Sequence, residues 1–216
     1  MPVASSAEAN GKQVVRFATS PRMSSYLLHL TVGDLERISR KAAGVEIGIV
    51  TRKGAAEQGR VALDAAVEIL PWYNDYFGTS YPLPKLDMIA VPGTSQFFGA
   101  MENWGAIMYF EQALLMDPQI SSESDRLNIY DAVAHEMAHQ WFGNLVTMEW
   151  WDDLWLNEGY ATWMAEKAAS TLRSQWNVPL LTVKWPREFA LQSDASDATH
   201  PIVQRVASVD AASQAF

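Results

Sequence analysis

The sequence predicts an α+β fold, with strands concentrated in the first half of the chain and helices in the second. Short runs of β-branched and aromatic residues bounded by Gly, Pro and Ser fill the first half, whereas apolar residues at helical spacing dominate the remainder. The chain has 216 residues, of which 49% are hydrophobic and 19% charged, and it can therefore fill the core of one sizeable domain.

The first half is predicted to contain strands and one helix. Residues 1–12 are polar and are expected to form a flexible lead-in. A helix is predicted over residues 57–77, where Pro71 should kink or restart it. The β-type runs separated by Gly, Pro and Ser predict strands at 14–18, 26–32, 45–50, 86–91 and 104–110.

The second half is predicted to be mostly helical. Ser122-x-x-Asp125 is a helix N-cap signature, and an apolar stripe at a spacing of three to four residues continues to Gly143, a natural helix stop. This predicts a helix of roughly twenty residues, about 30 Å long. A second helix should begin at Asp152 or Asp153, a third should cover 178–192, and the chain should return to extended structure over 198–202.

The composition argues against several classes of partner and site. Sixteen Lys and Arg against 25 Asp and Glu give a net charge of −9, which is unfavourable for neutralising nucleic-acid phosphates. The sequence contains no cysteine, so a metal site must use His, Asp or Glu. We find no run of about 18 apolar residues and no signal-peptide pattern, and we expect a soluble chain without a membrane segment.

A metal-binding pattern lies inside the helix predicted before Gly143. His135 and His139 are four residues apart, so a helix places both imidazoles on one face, one turn apart. Histidines at this spacing also occur as ordinary, partly buried residues. The third ligand that zinc requires is available in Glu158, 19 positions after His139, if the second predicted helix runs back beside the first. We therefore predict one Zn²⁺ per chain.

The same pattern predicts hydrolytic chemistry. Two neutral imidazoles and one carboxylate leave the zinc centre with a net charge near +1, and catalytic zinc typically lowers the pKa of its bound water to about 7. Glu136 points about 100° away from the ligand face. It is predicted to be the general base that takes a proton from zinc-bound water and the acid that delivers it to the leaving amine.

Three motifs in order resemble the aminopeptidase N family of zinc metallopeptidases, the gluzincins. They are Gly99-Ala100-Met101-Glu102-Asn103, then His135-Glu136-Met137-Ala138-His139, then Glu158 within Trp-Leu-Asn-Glu-Gly. The resemblance implies a thermolysin-like zinc peptidase domain, a mixed sheet followed by helices, that releases N-terminal amino acids from peptides with a free N-terminus. It also implies that Glu102 binds the substrate α-ammonium and that the neighbouring motif residues, with the Gly99–Met101 backbone pairing with the peptide, complete the substrate site.

The resemblance also implies a domain organisation. Residues 1–40 resemble the end of an N-terminal β domain, and residues 41–216 resemble a catalytic domain that stops before its C-terminal end. Further N- and C-terminal domains are expected in a full-length protein. In the family, a tyrosine that stabilises the oxyanion follows a stretch like His200-Pro201-Ile202, and here Phe216 precedes that point. Because one oxyanion donor is worth about 10²–10³ in turnover, we expect this chain to bind zinc but to be weakly active or inactive.

Three alternatives stay open on the sequence. A leukotriene-hydrolase-like enzyme, which acts on an epoxide as well as on peptides, shares the superfamily. A thermolysin-like endopeptidase fits less well, because Thr162 stands where an Asp four residues after Glu158 is expected. A non-catalytic zinc-binding domain would bind the metal without hydrolysis. Peptides with blocked N-termini separate the peptidases, since an endopeptidase cleaves them and an aminopeptidase does not.

Overall fold

The computed structural model describes residues 1–95, 98–197, 199 and 201–213, and it confirms the predicted α+β class. The strands are β1 (Val3–Ala9), β2 (Lys12–Phe17), β3 (Leu35–Ala42), β4 (Val45–Arg52), β5 (Lys85–Val91), β6 (Ala100–Met101) and β7 (Ala106–Phe110). The helices are α1 (Arg60–Phe77), α2 (Glu111–Leu114), α3 (Glu123–His139), α4 (Leu154–Leu172), α5 (Val178–Thr182), α6 (Glu188–Asp194) and α7 (Val209–Ser213), and a π-helical stretch, Val183–Arg187, joins α5 to α6.

Within the described residues, five strands form one mixed sheet in the order β3-β4-β5-β7-β6. β4, β5 and β7 are parallel, whereas β3 and β6 are antiparallel to their neighbours. β6 pairs with β7 in the register Ala100 to Tyr109 and Met101 to Met108. The motif that begins at Gly99 therefore lies on an edge strand, and no described strand pairs with the other side of its backbone.

Helix α1 connects the sheet to the rest of the molecule. It packs against β3 and β4 on one side and against α3 on another, and its residues Ile69, Leu70 and Tyr73 are fully buried. The Tyr73 hydroxyl donates a hydrogen bond to the backbone carbonyl of Ala134 at 2.8 Å. Helix α4 then packs on α3. This layering fixes α3 relative to the sheet and places α4 beside α3.

Most predicted elements are present. The strands predicted at 45–50, 86–91 and 104–110 correspond to β4, β5 and β7, although β7 starts only after the turn at Gly105. The helix predicted at 57–77 is α1, preceded by a short 3₁₀ turn, and it continues through Pro71 without restarting. The helices predicted after Ser122, after Asp153 and over 178–192 are α3, α4 and the α5-to-α6 stretch.

The prediction of a flexible lead-in over residues 1–12 is wrong. β1 and β2 form an antiparallel hairpin whose turn is Asn10-Gly11. Both turn residues have positive φ, 54° and 70°, which is the requirement of a type I′ turn. Asn-Gly between two runs of extended residues is itself a strong hairpin signal, and the polar composition of β1 concealed it.

The strand predicted at 26–32 is also wrong, and β3 was missed. Ser25–Leu27 form a single 3₁₀ turn, and the following residues form no strand ladder with any part of the chain that the structure describes. Leu28, Leu30 and Val32 alternate as in a strand, but without a described neighbouring strand their side chains lie on the surface. β3 escaped prediction because most of its residues are polar or charged and exposed, as suits an edge strand.

The division into domains at residue 40 stays a prediction. β3 crosses that position and pairs with β4 along its whole length, so the central sheet begins at Leu35. Of the extended stretch predicted at 198–202, residues 198 and 200 lie outside the described residues, and 201–202 are irregular. No helix in the described ranges combines the length and apolar character needed to cross a bilayer.

Candidate metal centre and substrate site

Helix α3 begins at a capping box that the sequence encodes. The Ser122 hydroxyl accepts a hydrogen bond from the backbone N–H of Asp125, and the Asp125 carboxylate accepts one from the backbone N–H of Ser122. This start sets the register of α3, which ends at His139. His135 and His139 are therefore the last two members of one face of the helix, one turn apart, next to the loop that leads to α4.

Three side chains from α3 and α4 bring their ligand atoms together. The Nε2 atoms of His135 and His139 are 3.0 Å apart, and Glu158 Oε2 lies 3.3 Å and 3.4 Å from them, respectively. Ligand atoms of a tetrahedral zinc site, each about 2.0–2.2 Å from the metal, are roughly 3.3–3.5 Å apart. The two distances to Glu158 match this spacing, and the 3.0 Å between the imidazole nitrogens is slightly shorter, so the three atoms lie near three corners of such a site.

The exposure of the three side chains distinguishes an open site from a closed one. The His139 side chain is 1% exposed, whereas the side chains of His135 and Glu158 are 21% and 27% exposed. Structural zinc sites are closed by four protein ligands, and catalytic sites leave a position for water or substrate. The triad of His135, His139 and Glu158 resembles an open, catalytic site, because one side of it faces solvent.

Both imidazoles are oriented by partners on their other nitrogen. His139 Nδ1 donates to the backbone carbonyl of Phe142 at 3.2 Å, and His135 Nδ1 lies 3.4 Å from the Thr162 hydroxyl. A proton on Nδ1 leaves the lone pair of Nε2 free for a metal, and such outer hydrogen bonds fix the ring in place. The Thr162 contact comes from α4, one turn after Glu158.

Gly143 permits the tight loop beside His139. Its φ is +128°, and a Cβ atom there would lie 2.5 Å from Asn157 Oδ1 and 3.1 Å from His139 Nδ1. Its backbone N–H donates to the Val146 carbonyl at 2.7 Å. The stop signal predicted from sequence thus has a second role, because its lack of a side chain lets α4 approach the end of α3.

The carboxylates around the triad favour a cation at its centre. Burial alone would lower the pKa of His139, but hydrogen bonding to Glu158 and the charges of Glu102, Glu158 and Glu136 raise that pKa to about 9. Burial would raise the pKa of Glu158, yet its hydrogen bonds with His135 and His139 lower it to about 2. Positive charge is therefore stabilised at this point, whether a proton or a metal ion carries it.

Glu136 lies in a different environment from the ligands. It is 7% exposed, and burial raises its pKa to about 7, an effect that the two histidine charges oppose and the charges of Glu102 and Glu158 reinforce. A carboxyl group whose pKa is near neutrality can both accept and release a proton at physiological pH.

The Glu102 segment is tied to the end of α3 by two buried amide side chains. Gln140 Nε2 donates to the carbonyls of Glu102 at 3.2 Å and Glu136 at 3.1 Å, and its Oε1 accepts from the Gly105 N–H at 3.3 Å. Asn144 Nδ2 also donates to the Glu102 carbonyl, at 2.9 Å. The edge strand β6 and the metal helix are therefore held in one arrangement.

The Glu102 side chain is itself buried, at 6% exposure, and it receives a hydrogen bond from Tyr26. The Tyr26 hydroxyl donates to Glu102 Oε1 at 3.1 Å. Burial, followed by the charge and hydrogen bond of Glu102, raises the pKa of Tyr26 well above its ordinary value, so the hydroxyl remains a donor. The adjacent Asn103 donates from Nδ2 to the Leu27 carbonyl at 3.3 Å.

The structure brings the sequence-predicted residues into one region. His135, His139 and Glu158 converge, the charge of Glu102 helps to raise the pKa of Glu136, and the residues from Gly99 to Asn103 line the sheet edge beside α3. Sequence reasoning missed Tyr26, Gln140 and Asn144. A polar residue directly after a ligand histidine could have indicated Gln140, whereas no local pattern marked Tyr26.

Comparison with known proteins adds independent findings. A family model described as the peptidase family M1 domain matches residues 61–216. "Probable aminopeptidase 2" of Sulfurisphaera tokodaii is 45% identical over 216 residues, covering 100% of this chain and 27% of that protein. "Aminopeptidase N" of Acetobacter pasteurianus is 53% identical over 165 residues, covering 76% of this chain and 46% of that protein. "Leucyl aminopeptidase" of Saccharolobus solfataricus is 43% identical over 216 residues, covering 100% of this chain and 27% of that protein. The chain thus spans between about a quarter and a half of the length of these relatives.

Proposed function

Because this chain belongs to peptidase family M1, we propose that it carries the catalytic site of a zinc-dependent aminopeptidase that releases N-terminal amino acids from peptides. The observation that carries the proposal is the convergence of His135, His139 and Glu158 at 3.0–3.4 Å on an open side of the molecule, next to two further buried glutamates. The relatives are named aminopeptidases, which supports the same activity.

His135, His139 and Glu158 would hold one zinc ion. Their chemistry suits it, since two imidazoles and a carboxylate are a common set for catalytic zinc. The Phe142 carbonyl and the Thr162 hydroxyl lie where each could accept a proton from Nδ1, the tautomer that leaves the Nε2 lone pair for a metal. When bound, zinc supplies positive charge that polarises a peptide carbonyl and makes water more acidic.

Glu136 is proposed as the group that moves the proton. Buried on the helix that carries both histidines, with a pKa near 7, it can accept a proton from the attacking water and later deliver it to the departing amine. Glutamine has nearly the same shape as glutamate, so Glu136→Gln tests this role with little effect on the fold.

Glu102 is proposed to select substrates with a free N-terminus. Its carboxylate is buried, so pairing with a substrate ammonium would be only weakly screened by solvent. A charge-assisted hydrogen bond of this kind contributes about 1.5–3 kcal/mol, or roughly 10- to 150-fold in affinity. The free side of β6 can pair with an extended peptide backbone, a recognised mode of peptide binding at sheet edges. Together these features favour an aminopeptidase over an endopeptidase.

The proposal is tested first by metal content and then by hydrolysis. We expect about one zinc per chain after dialysis, and His135→Ala should lower both the zinc content and the zinc-dependent rise in melting temperature. Glu136→Gln should keep the zinc and the melting temperature, while hydrolysis of a leucyl arylamide, measured in a C-terminally extended form of the chain, falls by about 10²–10⁴.

His29→Ala is the matched control for the histidine substitution. His29 lies outside the triad, and its ring contacts Thr31, so zinc content should not change. A chain whose zinc content is the same with and without His135 would overturn the metal assignment. Equal hydrolysis by the extended form with and without Glu136→Gln would overturn the role of Glu136.

A further inference from the structure

The 3₁₀ turn Ser25–Leu27 lies against the proposed amine-binding segment and makes two hydrogen bonds with it. The Tyr26 hydroxyl donates to the Glu102 carboxylate, and the next residue, Leu27, accepts from the side chain of Asn103 through its carbonyl. Leu27 is 2% exposed, so the turn is anchored in the core. Two adjacent residues of one segment thus contact two adjacent residues of the other.

Tyr26 also contacts the entry to α4. Its ring meets that of Trp151 edge to face, with the centroids 5.2 Å apart and an angle of 64°. Trp151 lies in the 3₁₀ turn that leads directly into α4, the helix of Glu158. The Tyr26 ring is therefore held on one side by Trp151, just before α4, and on the other by the 3₁₀ turn Ser25–Leu27. Its hydroxyl consequently has little freedom to move away from Glu102.

We infer that Tyr26 is a positioning residue for Glu102, which keeps the carboxylate in the orientation that receives a substrate ammonium. The inference rests on the proposed function of Glu102. A glutamate side chain has three rotatable bonds, and a bond to Oε1 restricts them while leaving Oε2 for the cation. Among the described residues, Tyr26 is the side chain that donates to this carboxylate. The selectivity for free amines is therefore set in part by the segment that precedes the central sheet.

Ligand binding tests the inference without relying on turnover. Calorimetry on the zinc-loaded chain compares leucine hydroxamate with 4-methylpentanohydroxamate, which is the same molecule without the α-amine. The ratio of the two dissociation constants measures amine recognition. For Tyr26→Phe we expect this ratio to fall by about 3- to 10-fold, less than the whole amine contact is worth, because Glu102 keeps its charge and loses only the bond that orients it; the affinity of the des-amino ligand should change less than about 2-fold.

A double-mutant cycle separates positioning from general damage. In a Glu102→Gln background, adding Tyr26→Phe should change the ratio by less than about 2-fold, because the carboxylate that Tyr26 orients is gone. Tyr76→Phe is the matched control, since it also removes a hydroxyl from a partly exposed ring but lies on α1, and it should leave the ratio unchanged.

The outcomes distinguish the inference from the function on which it rests. If Glu102→Gln leaves the ratio unaltered, the proposed amine-binding role of Glu102 fails. If Glu102→Gln lowers the ratio and Tyr26→Phe does not, only the positioning role fails. Equal weakening of both hydroxamates by Tyr26→Phe would mean that the tyrosine merely supports the fold, and this also overturns the inference.

Discussion

Gly143 shows, at the scale of single residues, how a position without functional atoms can control a metal site. The end of α3 and Asn157, in the first turn of α4, approach each other across it, and His139 lies alongside. The same residue needs a backbone conformation, φ +128°, that other L-residues rarely adopt. The absence of a side chain and the positive φ at Gly143 both allow α4 to come close enough to α3 for Glu158 to reach the histidine pair.

Replacing Gly143 by Ala is therefore expected to destabilise the fold and weaken the site. The new methyl group would lie 2.5 Å from Asn157 Oδ1 and 3.1 Å from His139 Nδ1, so the loop or the histidine must move. We expect a loss of about 1–3 kcal/mol in the free energy of unfolding, measured in urea, and weaker zinc binding measured by competition with a chelator.

Gly159→Ala provides the control for that substitution. Gly159 lies inside α4, one residue from the ligand Glu158, and a Cβ there meets no atom within 4 Å. Because alanine favours helix more than glycine does, this variant should gain about 0.5–1 kcal/mol. Equal effects of the two substitutions would show that the space around Gly143 does not matter.

At the scale of elements, α3 places the cap at one end and the ligands at the other. The capping box at Ser122 and Asp125 stabilises the first turn, and His139 is the last helical residue. The ligand spacing is thus a property of one continuous helix, which packs against α1 and α4. Fraying at the start should lower stability without moving the ligands.

Ser122→Ala should therefore cost about 1 kcal/mol of folding free energy at neutral pH and leave zinc affinity unchanged, as measured by denaturation and by chelator competition. The backbone N–H of Ser122 and, to a smaller extent, its hydroxyl donate to the Asp125 carboxylate and lower its pKa in the folded chain, and Ser122→Ala removes only the contribution of the hydroxyl. The Asp125 carboxylate therefore makes its full contribution to stability above its ordinary pKa of about 3.9. That contribution is lost as the pH falls through the lower pKa that Asp125 has in the folded chain. The difference between native chain and variant should narrow below about pH 4.

Ser124→Ala tests whether the cap, rather than any serine near the helix start, is responsible. Ser124 is exposed in the first turn and takes no part in the capping box, so its substitution should change stability by less than about 0.5 kcal/mol. A cost equal to that of Ser122→Ala, or a constant difference down to pH 3, would contradict the role given to the box.

At the scale of the whole molecule, buried tyrosines hold the layers together and set a limit on alkaline stability. Tyr73 on α1 bonds to the Ala134 carbonyl of α3, and Tyr109 on β7 is fully buried with no hydrogen-bond partner for its hydroxyl in the described part of the chain. Burial raises the pKa of both well above the ordinary value, as it does for Tyr81.

The two hydroxyls are expected to have opposite effects when removed. Tyr73→Phe should cost about 0.5–1.5 kcal/mol, because a hydrogen bond between layers is lost, whereas Tyr109→Phe should stabilise by about 1 kcal/mol, because an unsatisfied buried hydroxyl disappears. Both keep the ring and its packing, so each is the control of the other in urea denaturation at neutral pH. A loss of stability in Tyr109→Phe would show that its hydroxyl has a partner after all.

The pH dependence has a defined sign. The unfolded tyrosines lose their protons near pH 10 while the folded ones retain them, so the stability is complete below about pH 10 and falls as the pH rises further. Denaturation series between pH 8 and 11 should show this fall, and over that whole range the free energy of unfolding should drop by about 1.4 kcal/mol less in Tyr109→Phe than in the native chain. Identical slopes in the native chain and the variant would contradict the raised pKa.

Much of the fold could be predicted because its signals are local. The cap at Ser122, the apolar stripe of α3, the runs of β4 and β5 and the helical stretch after Asn177 depend on residues only a few positions apart. The errors arose where neighbours decide: Leu28 to Val32 have a strand pattern but no adjacent strand among the described residues, and the charged β3 became a strand because β4 lies beside it. Pairing in sheets is a long-range property.

The sequence by itself determined that His135 and His139 share one face of a helix, which made them the candidate ligand pair, and it identified Glu158, Glu136 and Glu102 as candidates by residue type and motif. Tertiary structure alone decided that Glu158 reaches the pair at 3.3–3.4 Å, that Gln140 and Asn144 hold the Glu102 segment, and that Tyr26 meets a carboxylate 76 positions away. Contacts at that separation depend on how the layers pack, and no local pattern encodes them.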